Sequence, residues 1–167
     1  ETEDEIFAAI GMPWIAPELR EHTGELEAAL QGKLPRLLMR EEVKGDLHLH
    51  TSAGCGTAPV REVVEAARAL GLRYVAITDR SKIRGSPRRF AEKLRALSGQ
   101  GITVRAGVEA EVLADGTLDH DLGALAELDW VVASVRDQAG QSRAEMTARV
   151  LKVLETGVVD CLAHPLN

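Results

Sequence analysis

Several features that mark particular protein classes are scarce in this sequence. Aromatic residues make up 3% of its 167 residues, and no apolar run approaches the roughly 18 residues that a membrane span needs. The two cysteines, Cys55 and Cys161, form no CxxC motif and give no disulfide framework. Residues 1–5 are mostly acidic, whereas a secretory signal begins with basic residues. We therefore expect a soluble, cytoplasmic protein with free thiols and no membrane partner.

Acidic residues outnumber basic ones, and the net charge of −6 argues against a polyanion-binding surface over the whole domain, because nucleic-acid binding usually needs a cationic face. A local exception follows the second predicted strand, where basic residues occur with no acidic one among them. These residues are Arg80, Lys82, Arg84, Arg88 and Arg89. They form either a solvated loop and helix start or a contact surface for DNA or phosphate.

Strand and helix patterns alternate regularly from residue 45 onward. The core has to come mainly from aliphatic residues and alanine, within an apolar content of 45%. Short apolar runs predict buried parallel strands, and the amphipathic segments between them predict helices, one of which begins with a capping box at Ser142–Glu145. The predicted strands are 46–50, 74–78, 102–112, 130–134 and 158–163. Parallel strands joined by helices form either an open doubly wound sheet or a closed barrel, so the pattern predicts an α/β fold and leaves both architectures open.

Residues 1–44 lack this regular pattern and contain short helical stretches interrupted by Pro13, Pro17 and Pro35. We expect this segment to be a connector. The chain begins at Glu1 rather than Met and ends immediately after an apolar strand. We therefore also expect it to be a piece of a longer protein.

Polar residues occur at the ends of several predicted strands, where the chemistry of parallel sheets gathers. His48 and His50 are two residues apart on the first strand, so their side chains project to one face, together with that of Asp46. Glu109 lies on the third strand and His164 follows the fifth. Neutral imidazoles and a carboxylate in such an arrangement can bind one or two divalent cations.

Five segments of the sequence carry a family resemblance. They are Gly-Asp-Leu-His-Leu-His-Thr from Gly45, the run from Glu65 to Asp79, Ala-Gly-Val-Glu ending at Glu109, the run from Leu128 to Val135, and Leu-Ala-His-Pro around His164. Together they resemble the PHP (polymerase and histidinol phosphatase) domain and, within that superfamily, the C-terminal domain of bacterial family X DNA polymerases. The resemblance extends from about Pro13 to the last residue.

The resemblance implies a distorted parallel (β/α)7 TIM-like barrel that is C-terminally incomplete in this chain. About five of the seven βα units would lie in residues 45–167, and residues 1–44 would connect them to an upstream polymerase domain. It also implies a cluster of two or three divalent metal ions, often manganese or zinc, that supports phosphoester hydrolysis. Family members linked to polymerases act as 3′-5′ exonucleases or 3′-end phosphatases, so DNA and the polymerase domains are the implied partners.

Seven positions of this chain match metal-ligand positions of the family, and three of them carry other residues. The matching ligands are His48, His50, Glu109 and His164; the replaced positions are Cys55, Arg80 and Arg136. Cys55 is a further candidate ligand as a thiolate, whereas an arginine beside a divalent ion opposes its binding. Arg80 and Arg136 either bind a phosphate where metals would lie or pair internally with Glu109, Asp46 or Asp79. Cys161 is interpreted as a small core residue.

Three functions are compatible with this sequence. The first is the PHP domain of a family X DNA polymerase in DNA repair, with weak or absent phosphoesterase activity, acting as a scaffold or as a module that contacts DNA. The second is an active metal-dependent 3′-5′ exonuclease or phosphoesterase. The third is a phosphatase for a small metabolite, of the histidinol-phosphatase type.

Overall fold

The computed structural model describes residues 2–80, 82–83, 85–136 and 140–164, and it divides the chain into two compact units, Glu1–Glu42 and Val43–Asn167. The first unit contains helices α1 (Glu3–Ala9) and α2 (Glu25–Leu30) and two short 3-10 helices, Pro17–Leu19 and Arg40–Glu42. Helix α1 begins with a capping box in which the Thr2 and Glu5 side chains each accept a hydrogen bond from the other's backbone N–H. No helix in the described part of the chain is long and apolar enough to cross a membrane.

The second unit is a curled, all-parallel sheet of five strands with the spatial order β1-β2-β3-β4-β5. The strands are β1 (Gly45–Leu49), β2 (Tyr74–Ile77), β3 (Thr103–Glu111), β4 (Trp130–Ser134) and β5 (Cys161–Ala163). The helices between them are α3 (Val60–Ala69), α4 (Pro87–Arg95), α5 (Leu122–Ala126) and α6 (Arg143–Leu154). The predicted α/β class with a parallel sheet is confirmed, and the sheet is consistent with an incomplete barrel; a total of seven strands stays a prediction.

Local sequence accounts for where the helices begin. The Ser86 hydroxyl accepts a hydrogen bond from the Arg89 N–H at the start of α4, where Pro87 occupies the first turn. The predicted capping box of Ser142 and Glu145 is present at the start of α6. Helix α6 therefore begins within one residue of its predicted start.

The fifth strand is shorter than predicted: it spans Cys161–Ala163, whereas the sequence predicts 158–163. The reason lies at Asp160, whose backbone N–H donates to the Val131 carbonyl at 3.0 Å while its own carboxylate accepts from the Val131 N–H at 2.8 Å. A side chain thus replaces a backbone acceptor at this point, and the regular ladder between β4 and β5 begins one residue later.

Successive side chains of β3 point alternately to the apolar core and to the opposite face of the sheet. Val104, Ala106, Val108, Ala110 and Val112 project toward the helices, where they belong to two buried apolar clusters. The intervening residues, among them Gly107 and Glu109, therefore project to the opposite, inner face of the curled sheet. This alternation places an acidic side chain in the middle of the inner face.

Candidate metal centre

His48 in β1 and His50 directly after it lie on the inner face because the register of this strand is irregular. Asp46 pairs with Val75 and Leu49 pairs with Ile77, so three steps along β1 correspond to two steps along β2. The extra residue reverses the alternation, as in a β-bulge. Asp46 therefore shares the face of Leu49 and, with it, lines a groove beside α3. The prediction that Asp46 lies on the face of His48 and His50 is wrong.

Glu109 is the centre of the inner face, and its side chain is completely buried. Its Oε2 atom lies 2.8 Å from His48 Nε2 and 3.0 Å from His50 Nε2. The Arg80 Nε–H donates to the same oxygen at 3.1 Å, and the Arg136 Nη2–H donates to Oε1 at 2.7 Å. Side chains that belong to or follow β1, β2 and β4 thus converge on one buried carboxylate.

The electrostatics of the cluster favour an ionised Glu109 beside a neutral His50. Burial raises the pKa of Glu109, but the hydrogen bond from His48 and the charge of Arg80 outweigh this effect and hold that pKa below its ordinary value. Burial also lowers the pKa of His50, because the charged imidazolium is disfavoured there more than the Glu109 carboxylate favours it. At neutral pH the cluster therefore combines one carboxylate with two guanidinium groups.

Arg80 and Arg136 adopt internal pairing with Glu109 rather than with the other two acids considered from the sequence. Asp79 is 6% exposed and is engaged by Thr51, whose backbone N–H and hydroxyl donate to its two carboxylate oxygens, each at 2.6 Å. Asp46 faces α3, as the register shows. Each guanidinium keeps about a third of its side chain exposed, at 36% for Arg80 and 37% for Arg136.

The loop after β1 carries Cys55, which is exposed and is a free thiol. Two glycines allow this loop to pack tightly: a Cβ at Gly54 would lie 2.7 Å from Asp79 Oδ1, and a Cβ at Gly56 would clash with the His50 carbonyl oxygen. Cys55 does not belong to the group whose ligand atoms lie within 4.8 Å of one another in the described part of the chain. Its role as a thiolate ligand stays a prediction.

The remaining predicted residues are divided between the site and the surface. The His164 ring centroid is 6.3 Å from that of His48, and His164 has a φ of 53°, but it lies outside the compact ligand group. Lys82, Arg88 and Arg89 are exposed. Arg84 lies outside the described residues. Cys161 pairs in register with Val132 and is half-buried.

A metal ion of the kind that the resemblance implies finds three converging ligands. The ligand atoms of His48, His50 and Glu109 all lie within 4.8 Å of one another, so these residues could hold one divalent ion. Two observations bear on how well these residues would hold an ion. Glu109 already accepts from two guanidinium groups, and His50 Nδ1 is buried without a partner among the described residues, although a metal-binding imidazole usually donates its second N–H to an acceptor. Among the described residues, three ligand atoms therefore converge closely enough for one ion, which would compete with the two arginines for Glu109.

Sequence reasoning assigned no role to Thr51 or to the carboxylate of Asp79 other than pairing with an arginine. Both side chains are buried at the ends of their strands. The signal was available, because a polar Thr78–Asp79 pair directly follows an apolar strand. That Thr51 engages the acid could not be read from spacing, since 28 residues separate the two.

Comparisons with known proteins place this geometry in context. A family model described as the PHP domain matches residues 46–155. The DNA polymerase/3′-5′ exonuclease PolX of Bacillus subtilis is 35% identical to the chain over 98% of its length, which corresponds to 30% of that protein. A probable phosphatase of Photobacterium profundum is 33% identical over 73% of the chain and 53% of its own length, and one of Acetivibrio thermocellus is 35% identical over 73% and 54%. The chain thus spans under a third of the polymerase and about half of each phosphatase.

Proposed function

This chain belongs to the PHP domain family, and on that premise we propose that it is part of a bacterial family X DNA polymerase involved in DNA repair. In this proposal its phosphoesterase activity is weak or absent, and it acts as a scaffold or as a module that contacts DNA. One observation carries the proposal: both oxygens of Glu109 accept hydrogen bonds from arginines. The similarity to PolX over nearly the whole chain supports the choice of parent protein.

The arginines matter because their charge opposes that of a divalent ion at the same carboxylate. A guanidinium and a divalent ion about 5 Å apart repel each other by roughly 7 kcal/mol at an effective dielectric constant of about 20. Arg80 and Arg136 could relieve this repulsion by swinging toward solvent, but each would then lose its hydrogen bond to Glu109. Metal binding therefore competes with the ion pairs that Glu109 already makes with both arginines.

A contact with DNA is supported by the exposed basic residues beside the site. Lys82, Arg88 and Arg89 are exposed, and Arg88 also pairs with Glu92 at 3.1 Å on the same helix. An i,i+4 ion pair of this kind contributes little stability. These side chains therefore remain available for phosphate groups of a nucleic-acid backbone.

The test is elemental analysis of the chain after purification with manganese and zinc, combined with a nuclease assay. We expect less than stoichiometric metal, and the same residual hydrolysis for the wild type and for His50→Ala. One metal per chain, with hydrolysis that His50→Ala abolishes, would refute the proposal and favour an active enzyme.

The active 3′-5′ exonuclease remains the second candidate, and the convergence of His48, His50 and Glu109 favours it. A divalent ion held there would polarise a phosphoryl oxygen and acidify a bound water. His48 and His50 would contribute neutral nitrogen donors, and Glu109 would have to exchange Arg80 for the ion. The third candidate, a small-molecule phosphatase, is favoured by the relatives named probable phosphatases. Hydrolysis of a small phosphate monoester without any action on DNA would identify it.

A further inference from the structure

We infer that Arg80 and Arg136 form a site that binds a phosphate group without a divalent metal ion, supplied either as a phosphate monoester or as inorganic phosphate. The inference rests on the proposed function in one respect, namely that the arginines rather than a metal occupy Glu109. It goes further in assigning to the two guanidinium groups a ligand of defined chemistry. The argument uses their free donors, the layering of charge, and the rigidity of their support.

Among the described residues, each arginine uses one N–H group on Glu109 and has further N–H donors without a protein partner. Arg80 uses its Nε–H on Glu109, which leaves the fork of its two terminal nitrogens, and Arg136 uses one N–H of Nη2, which leaves the second N–H of Nη2 together with the N–H groups of Nε and Nη1. Within residues 2–80, 82–83, 85–136 and 140–164, these remaining N–H groups have no hydrogen-bond partner. A guanidinium presents its N–H groups in a planar fork that matches the oxygen spacing of phosphate. Two such forks on one carboxylate are therefore both positioned and unsatisfied.

Charge in the site is arranged in layers, with the anions beneath the cations. The Glu109 side chain is fully buried and Asp79 is 6% exposed, whereas each arginine is about a third exposed. Asp79 offers little to a ligand, because Thr51 donates to both of its oxygens. A group approaching from solvent therefore meets N–H donors first, although the four charges sum to zero. Such a surface attracts an anion even on an acidic protein.

Glu109 holds the two forks in place from a strand in the middle of the sheet. Arg80 follows β2 and Arg136 follows β4, the two neighbours of β3, and each arginine binds a different oxygen of Glu109. Because these side chains are ordered before a ligand arrives, less conformational entropy is lost when it binds. A phosphate monoester has three free oxygens in a tetrahedral arrangement and can accept from two forks in different planes. A planar carboxylate ligand has two oxygens in one plane, so phosphate is the better match.

The experiment measures binding of inorganic phosphate to the metal-free chain by calorimetry in the presence of EDTA. Arg80→Gln and Arg136→Gln should each weaken binding about tenfold, as expected for the loss of one charge-assisted bidentate contact. Arg88→Gln, which removes an exposed arginine on α4, should leave binding unchanged. Arg136→Lys keeps the charge but loses the planar fork, so its affinity for phosphate should lie between those of the wild type and Arg136→Gln. Thermal unfolding of each variant, with and without phosphate, checks that the chain is folded.

A second arm compares a terminally phosphorylated single-stranded oligonucleotide with the same oligonucleotide lacking the phosphate. Tighter binding of the phosphorylated oligonucleotide than of the unphosphorylated one identifies a nucleic-acid end as the source. Equal binding of the two oligonucleotides, with inorganic phosphate still bound by the chain, identifies a free phosphate or small monoester; both results support the site. No binding of phosphate with or without Mn²⁺ would overturn this inference and leave the proposed function standing. Phosphate binding that requires Mn²⁺ would overturn both this inference and the proposed function.

Discussion

Glu109 determines the chemistry of the inner face at the scale of single residues. It is a fully buried carboxylate with two histidine nitrogens and two guanidinium groups within 3.1 Å. Removing its charge would leave two arginines side by side without their counter-ion. Removing one member of a buried network usually destabilises a protein by more than the net stability that the intact network contributed, because the remaining groups stay desolvated.

We expect Glu109→Gln to lower the free energy of unfolding by about 3 kcal/mol, because the two guanidinium groups lose the carboxylate that they share. Urea denaturation measures this change. Glu111→Gln, two residues further along the same strand and less deeply buried, serves as the control and should change stability little. Equal effects of the two substitutions would contradict the central role of Glu109.

The same carboxylate predicts how stability depends on pH. The pKa of Glu109 is lower in the folded protein than its ordinary value, so its contribution is fully present above the ordinary carboxyl pKa and is lost as pH falls through the lower, folded pKa. His50 acts in the same direction, since its lowered pKa makes protonation of the folded state unfavourable. Melting temperatures measured from neutral to acidic pH should therefore fall less steeply for Glu109→Gln than for the wild type. Parallel curves would contradict this assignment.

At the scale of elements, α6 holds the long connection between β3 and α5 through one buried cation. Arg149 is 4% exposed; its Nε–H donates to the Leu113 carbonyl at 2.8 Å and its Nη1–H to Gln141 at 3.0 Å. A further N–H donates to the Val112 carbonyl. These bonds attach the connection to the helix at the point where β3 ends.

Arg149→Met should keep the aliphatic packing but leave the Val112 carbonyl without its donor, whereas the Leu113 carbonyl keeps a hydrogen bond from the Gly116 N–H. We expect a loss of about 3 kcal/mol in the free energy of unfolding, the usual cost of an unsatisfied buried carbonyl together with lost charge-assisted bonds. Amide hydrogen exchange in residues 112–118 should also become faster. The control is Arg143→Met in the first turn of the same helix, where the arginine is exposed. An equal loss in both variants would refute the role of Arg149.

Several elements could be predicted from the sequence because local patterns determine them. The strand Trp130–Ser134 has its predicted bounds, and the capping box of Ser142 is where the pattern placed it. The bulge in β1 could not be predicted, since alternation presumes one residue per step and the extra residue appears only in the pairing with β2. The shortening of β5 depends in the same way on a side chain, Asp160, that replaces a backbone partner.

The candidate site was predictable to a similar extent. The convergence of His48, His50 and Glu109 follows from parallel strands whose carboxyl ends lie together. Side-chain positions were required to identify the acid that pairs with Arg80 and Arg136, because Glu109, Asp46 and Asp79 were all plausible partners in sequence. The hydrogen bonds from both arginines to Glu109, and the engagement of Asp79 by Thr51, identify Glu109 as that partner.

At the scale of the whole molecule, an acidic chain carries one basic segment, residues 80–89, that contains no acidic residue. Binding of DNA to such a chain depends on the few side chains that reach the phosphates, so it should be sensitive to salt and to substitutions at those positions. Lys82, Arg88 and Arg89 are the exposed candidates in the described part of the basic segment.

The double substitution Arg88→Glu with Arg89→Glu should weaken binding of single-stranded DNA and reduce its salt dependence. The slope of log K against log salt concentration should fall in magnitude by about 0.7 for each phosphate contact that is lost. Arg61→Glu with Arg143→Glu makes the same change in net charge at exposed positions of α3 and α6, and it should alter the slope much less. Identical slopes for both variants would show that net charge alone governs binding.

Titration of the metal-free chain with Mn²⁺ tests the central claim most directly, with the wild type compared to the double variant Arg80→His with Arg136→His. We predict no stoichiometric binding by the wild type and an affinity at least about tenfold higher in the double variant, because two positive charges beside the ion are removed. Arg88→His with Arg89→His is the control and should behave as the wild type. Tight binding of one Mn²⁺ by the wild type, unchanged in the double variant, would contradict the account.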